Sequence, residues 1–468
     1  MAMPRLRWGA VVFSVLLGSF MINPGTVTAS APASEPSVDV PFERYTLDNG
    51  LEVILHSDRS VPLVAVDVWY HVGSGDEEPG LSGFAHLFEH MMFQGAKHIG
   101  SDVHFDTLRK IGGTGVNGTT NKDRTNYYEV VPSHQIETAL WLESDRMGYL
   151  LDLLNQEALD NQIDVVRNER RQRYDNVPFG LERFAVAAGL YPEGHPYRYL
   201  TIGKHEDLET AKLEDVRAFF KQWYVPSNAT LVLAGDFEMK EGRALVDKWF
   251  ATFPKFDKPG HTAPELPPIA KTQRTELDDT FAKFTRLHFA WQSPAKLAKG
   301  DAELTVLGRV LGSSGWGRLY KRLVLGSEAA QRVSVYQSGH GFSGEFHVVV
   351  DVKPGRDLAE VEAAVAEELR RAAQQPITDV ELRRVVNGIE SGLVWGLEEV
   401  LGRAERLQFF NHYSGKPGYY EEYVQTFRDL TPEGIQTQAK ATLEAHRVEV
   451  VSRPAKAETK SETKPGGA

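Results

Sequence analysis

Hydrophobic and polar positions change period several times along the chain, and each change marks an element. Glu43 to Leu47 and Leu51 to His56 flank Asp48-Asn49-Gly50. Asn-Gly supplies the positive φ of a tight turn, so this stretch predicts a β-hairpin. Val64, Val66, Val68 and Tyr70 alternate with other residues, as a half-buried strand requires. From about Ser82 to Gln94 the pattern is helical, and Gly95 sits where a helix end favours a left-handed residue. Periodicity lapses over 254–275, where Pro254, Pro259, Gly260, Pro264, Pro267 and Pro268 crowd a stretch suited to a surface linker. It then restarts: Thr285, Leu287, Phe289 and Trp291 alternate as a strand, and Ala302 to Leu311 is helical. The two halves also close alike. Asp207-Leu208, a helix to Tyr224 and the run from Asn228 to Leu233 end the first; Asp429-Leu430, a helix from Thr431 and Arg447 to Val451 end the second. The correspondence predicts an α+β fold of two repeated domains, over 41–253 and 276–453.

Composition narrows the function. A chain of 468 residues exceeds one ordinary core. Its net charge of −12, with no Lys/Arg stripe, argues against nucleic acid as a partner. There is no cysteine, which excludes disulfides, thiolate nucleophiles, Cys-based zinc sites and an N-terminal lipid-modified cysteine. Arg5 and Arg7, the apolar run Trp8 to Met21 and the small residues Val27-Thr28-Ala29 follow the order of a secretory signal peptide, 1–29, cut after Ala29. The apolar run is short for a membrane span, and no other stretch is apolar enough to cross a bilayer. The expectation is therefore a chain exported to the periplasm or beyond, with no stable membrane insertion after cleavage. Residues 30–40 read as a flexible leader and 454–468 as a disordered tail.

The chemistry concentrates in His86-Leu87-Phe88-Glu89-His90. Histidines four apart on a helix project from one face and can share a metal, and Glu89 lies beside His90 in reach of a water on the same ion. Zinc suits imidazole and carboxylate ligands, and three protein ligands leave a position for water. Glu89 would then act as general base. The surroundings (Phe84, Leu87, Phe88, Met91, Met92 and Phe93) make buried imidazoles and a carboxylate costly unless something pairs with them, which favours metal over two structural histidines. For the third ligand, Glu157, Asp164, Glu169 and Asp175 all lie on or near one predicted helix.

After the motif come Gly113 to Thr120, Arg124-Thr125-Asn126-Tyr127-Tyr128, Trp141 to Met147, Val165 to Arg171, His195-Pro196-Tyr197 and Ala234-Gly235-Asp236. In order and spacing, over about 150 residues, these resemble the pitrilysin/insulinase family of inverted-zincin metallopeptidases, and in particular its bacterial two-domain members akin to the mitochondrial processing peptidase. The resemblance implies domains that are each a mainly antiparallel sheet packed with helices. It also implies one zinc ion per chain, held by His86, His90 and Glu169, with Glu89 as catalytic base. Gly115 to Thr120 resembles the family's edge strand, which pairs with an extended peptide substrate. Asn117 and Gly118 are the substrate-binding candidates there.

Two departures stand out. Family members that cleave carry a Glu seven positions before the distal ligand, and Gln162 stands there. Single-chain members also place an Arg and a Tyr seven apart in the second half, and by register these positions are Val324 and Gln331. This implies a homologous subunit that supplies the pair, making the chain the catalytic member of a heterodimer. The alternative is a non-cleaving peptide-binding or scaffold subunit of the same fold. Such subunits have usually lost motif residues, whereas His86, Glu89, His90 and Glu169 all survive here.

Overall fold

The computed structural model describes residues 40–101 and 103–455. The first sheet contains β1 (Glu43–Thr46), β2 (Glu52–Ser57), β3 (Leu63–Tyr70), β4 (Thr114–Thr120), β5 (Thr125–Pro132) and β6 (Ala229–Gly235), in the order β1-β2-β6-β3-β5-β4. The second contains β7 (Gln273–Asp279), β8 (Arg286–Ser293), β9 (Ala330–Gly339), β10 (Gly344–Val352) and β11 (Val448–Pro454), in the order β7-β11-β8-β10-β9. Once β1 is set aside the two orders coincide. Each sheet is antiparallel except where its last strand inserts parallel to its early one, β6 beside β2 and β11 beside β7. The repeat inferred from the closing elements is thus a repeat of topology. Residues 255–272 between the sheets form no helix or strand. β11 runs through Pro454; the expected signal peptide, the leader up to residue 39 and the tail from residue 456 lie outside the described residues.

The helices used below are α1 (Phe84–Met91), α2 (Ile136–Leu153), α3 (Gln156–Arg170), α4 (Glu182–Leu190), α5 (Leu213–Trp223), α6 (Met239–Phe250), α7 (Asp301–Gly312), α8 (Leu358–Gln374), α9 (Asp379–Gly396), α10 (Val400–Ser414) and α11 (Pro432–Leu443). Helices α1, α2, α3, α5 and α6 bury their apolar sides on one face of the first sheet. Helices α7, α8, α9 and α11 do the same on the second. The other faces are covered by exchange. Late helix α10 packs Leu407 and Phe410 on Ile54, Ala65 and Val232 of the first sheet. Early helix α4 packs Val186 and Leu190 on Ala290, Val448 and Val450 of the second.

This exchange explains one difference from expectation. β3 is buried on both faces rather than half-buried, because α10 covers the side that alternation left polar. Gln408 of α10 donates to the carbonyls of Asp67 and Thr230, both at 2.9 Å. The predicted hairpin is present as β1–β2, with Gly50 at φ +95°. The predicted helix over 82–94 is shorter. The Glu77 carboxylate accepts the Gly83 and Ala85 N–H groups, both at 2.9 Å, and fixes the start of α1. Gly95 adopts φ +103° beyond its end, and a Cβ there would meet the Ile99 carbonyl at 2.7 Å.

The β4–β5 turn is pinned through Asp123 both to the first half and to two elements of the second. Its carboxylate accepts from the hydroxyls of Tyr197 (2.5 Å) and Tyr413 (2.7 Å) and from Gly341 N–H (3.0 Å). Burial works to raise its pKa, but His340 and these donors outweigh it and hold the carboxyl below its ordinary 3.8. The depressed value means that this stabilisation is complete above about pH 4 and is lost as pH falls through the folded pKa. Asp123→Ala is expected to cost about 2–4 kcal/mol in urea denaturation at pH 7. The gap between wild type and Asp123→Asn should narrow toward pH 3; an unchanged gap would show that the carboxylate charge is not what ties the turn down.

Candidate metal centre

Helix α1 is amphipathic in a divided way. Phe84, Leu87, Phe88 and Met91 are at most 1% exposed, and Phe88 stacks on Phe219 and Tyr224 at ring distances of 5.1 and 5.0 Å. That packing turns His86, Glu89 and His90 outward, toward α3 and β4. The two imidazoles meet edge to face at 4.8 Å. Helix α3 packs across α1 and brings Glu169, in its last turn, to the same point. Glu169 Oε2 lies 3.2 Å from His90 Nε2 and 3.6 Å from His86 Nε2. The three donor atoms fall within 4.8 Å of one another.

The electrostatics suit a cation. Burial is the main force holding His86 down to about 4, so its imidazole is neutral at physiological pH and offers a lone pair. Burial alone would raise Glu169, but the His90 hydrogen bond and the charges of His86 and Arg173 outweigh it and keep the carboxyl below its ordinary range. Glu169 Oε1 is held by Arg173 at 2.6 Å, four residues on, within a π-helical turn at Arg171–Asp175. Two imidazole nitrogens and one carboxylate oxygen form a set that can hold a zinc-like divalent ion. His86 Nδ1 is buried with no protein partner, so the usual brace on a ligating histidine is missing at that nitrogen.

Glu89 lies beside this set rather than in it. Its Oε2 accepts from Thr120 Oγ1 at 2.7 Å, which ties it to β4. Burial raises its pKa, against the opposing effects of Thr120 and His90. Such a carboxylate holds a proton more readily than an exposed one. Gly118 of β4 is in contact with it: a Cβ there would meet Glu89 Cγ at 3.1 Å. Exposed Asn117 faces Tyr128 in register, with its amide 3.4 Å from the Tyr128 hydroxyl. β4 is the last strand of its sheet, and a β-bulge interrupts it between Thr114 and Asn117.

Together these groups line a cavity of about 350 Å³, with Asn117 to Thr120 on one side and Tyr174, Thr201 and Ile202 on another. His86, Glu89, His90, Glu169, Asn117 and Gly118 all reach it. Gln162 does not; it is buried in α3. The other carboxylates weighed as third ligand are engaged elsewhere or exposed. Asp175 lies 3.5 Å from both Arg170 and His205, Asp164 pairs with Arg167, and Glu157 is exposed in the first turn of α3. Val324 packs against the second core and Gln331 is exposed on β9, so neither lines the cavity. A second convergent trio, His104, Glu129 and Glu143, is wholly buried, with Arg146 engaging both Glu143 oxygens.

Sequence reasoning missed Arg173, Thr120 and Glu77. Arg173 was reachable from its i+4 spacing to Glu169 on a helix. Thr120 and Glu77 act across chain turns that carry no spacing signal.

Comparison with known proteins bears on the fold and the family. Residues 52–185 match the family described as insulinase (peptidase family M16), and residues 210–389 match its "peptidase M16 inactive domain". The chain is 27% identical over 408 residues to the zinc protease PqqE of Helicobacter pylori, covering 85% of this chain and 90% of that one. A solved protease structure from Helicobacter pylori superposes with a TM-score of 0.82 at 24% identity, over 88% of this chain and 99% of that one. The periplasmic protease PqqL from Escherichia coli superposes at 0.74 with 19% identity, over 89% of this chain but 48% of its own length. Both halves match descriptions of one peptidase family, and the fold is shared along most of the chain: it belongs to the pitrilysin/insulinase family.

Proposed function

We propose that the chain is a zinc-dependent endopeptidase that hydrolyses extended peptides or unfolded polypeptides. The observation that carries this reading is the convergence of His86, His90 and Glu169 on one point, with Glu89 beside them and the outer edge of β4 alongside. A zinc ion held by those three ligands supplies Lewis acidity, which polarises a carbonyl and makes a water molecule acidic near neutral pH. The remaining chemistry belongs to the chain. Glu89, tethered by Thr120, accepts the proton of the attacking water and delivers it to the leaving amine. β4 offers backbone N–H and C=O groups to an extended peptide as an added strand, which demands little side-chain identity. Asn117 contributes a side-chain amide to the substrate backbone. The "inactive domain" match spans residues 210–389 and so takes in none of His86, Glu89, His90 and Glu169, which lie within the 52–185 match.

The same reading includes a partner. Val324 and Gln331 cannot grip a substrate carbonyl as an Arg and a Tyr would, and the chain spans about half of PqqL. Val394 and Trp395, at the end of α9, are 51% and 68% exposed and offer an apolar contact. A homologous subunit closing over the cavity would supply the pair and enclose the substrate. Export to the periplasm, or secretion, completes the reading. It rests on the signal-like N-terminus, on PqqL being a periplasmic protease, and on no helix of the described residues being long and apolar enough to cross a membrane.

Glu89→Gln is expected to keep about one zinc per chain by metal analysis while kcat falls by at least about 10³-fold; retained turnover would remove Glu89 from the proton-transfer role. Glu169→Ala should lower metal affinity by about 100-fold or more in a chelator competition, and an unchanged affinity would assign the third ligand elsewhere. Purified alone, the zinc-loaded chain should cleave peptides poorly, and addition of the homologous subunit should restore activity; full activity alone would reject the shared chamber.

A further inference from the structure

A second cavity, of about 450 Å³, opens on the face of the second sheet that its own helices leave uncovered. On β9, Val333 and Val335 point into the core, so Arg332, Ser334, Tyr336 and Ser338 line the opposite face. Glu345 and His347 of β10 and Arg286 and His288 of β8 continue that face. Helix α4 lies over the β7–β11–β8 side and adds Glu182 and Arg183, while at β9 Tyr336 is 42% exposed.

The charges of this cavity do not cancel. Lys122 pairs with Glu345, and Arg286 pairs with Asp351 through contacts of 2.6 and 3.1 Å. Glu182 is taken by His288 at 2.7 Å, and His288 and His347 continue a hydrogen-bonded row to Glu345 at 3.0 Å per step. Burial keeps His340 and His347 from adding positive charge. Arg183 and Arg332 remain. Neither has a carboxylate within ion-pair distance among the described residues, and Arg183 lies only over the Tyr174 ring, at 5.6 Å. Two exposed guanidiniums on one polar cavity wall, with no carboxylate of the described residues to neutralise them, are free to take up a carboxylate from a ligand.

The cavity adjoins the metal centre along two routes. Tyr174, under Arg183, lines the metal cavity, and Leu200 of this cavity runs directly into Thr201 and Ile202 of that one. The edge of β4 ends at Thr120, and Lys122 at the tip of the following turn is fastened to Glu345. A peptide added to β4 and passing Glu89 therefore leaves the strand toward this wall. We infer that Arg183 and Arg332 form a subsite that selects peptides carrying an acidic side chain, or a terminal carboxylate, close to the bond that is cut.

The inference rests on the peptidase reading and deepens it, so its test reads discrimination rather than activity alone. Labelled peptides that differ only by Glu or Gln, placed at each of about three positions on either side of the cut, are compared by kcat/KM with the homologous subunit added and by anisotropy binding to the zinc-loaded full chain. At one position Glu should be favoured by about tenfold. The ratio should fall toward unity in Arg183→Gln/Arg332→Gln and invert in favour of a Lys peptide in Arg332→Glu, with thermal melts confirming that each variant is folded. Equal handling of the Glu and Gln peptides, binding of neither, or a preference that the arginine variants leave untouched overturns the subsite. Glu-selective binding with no cleavage even when the homologous subunit is added overturns the peptidase reading and leaves the subsite standing.

Discussion

Helix α1 carries two incompatible demands on eight residues, and the architecture around it reconciles them. Its apolar side must be buried, and it is, against aromatic rings of α5 and the strands below. Its polar side holds two imidazoles and a carboxylate that are too costly to bury unpaired. The packing of α3 across α1 resolves this by bringing Glu169 to within 3.2 Å of His90, and β4 resolves the rest by giving Glu89 the Thr120 hydroxyl. Remove the apolar anchoring and the helix would be free to rotate, and the donor atoms would no longer share a point. The buried Glu77 carboxylate, receiving two N–H groups of the first turn, fixes where that rotation starts.

The exchange of helices between halves does a second job. Had each half been self-contained, the turn from β4 to β5 would project into solvent as an ordinary hairpin tip. Instead α10 closes the far face of the first sheet, and Asp123 gathers hydroxyls from Tyr197 and Tyr413 and an N–H from Gly341. The edge strand that lies along the candidate metal centre is thus held at its far end by the second half. For added-strand recognition this matters, since an edge that frays loses the register on which backbone pairing depends.

How much of this was legible in the sequence depends on the range of the interaction. The His86–His90 pair, the flanking apolar residues and the β1–β2 hairpin are local, and spacing alone carried them. Glu169 was not fixed by spacing: four carboxylates were equivalent on paper, and only the family likeness separated them. The crossing of α3 over α1 shows why, since Asp164 and Glu157 point to solvent along the same helix. The burial of both faces of β3 was illegible for a stronger reason. The helix responsible lies more than 300 residues away, as the contact from Gln408 to Asp67 shows (|i−j| = 341). No periodicity within β3 could report a partner at that distance. Gly118 was read as a substrate contact on resemblance, but its lack of a side chain also answers to the Glu89 Cγ at 3.1 Å.

The two sheets share an order but treat their second faces differently, and that asymmetry bears on specificity. On the first sheet α10 covers the face with Leu407 and Phe410, so nothing there is left to read a substrate. On the second, α4 is a shorter helix lying toward the β11 side, and the β9 side stays open and polar. If β4 takes up an extended peptide as proposed, its backbone pairing would accept any such chain, and selectivity would have to come from a surface the peptide meets after it leaves the strand. An uncovered face also has to remain soluble in the empty protein, which the Glu182–His288–His347–Glu345 row and the paired Lys122 and Arg286 achieve without neutralising Arg183 and Arg332. Filling that face with another apolar helix would stabilise the second domain but cover Arg183 and Arg332; leaving it open keeps both guanidiniums available in a cavity that adjoins the candidate metal centre.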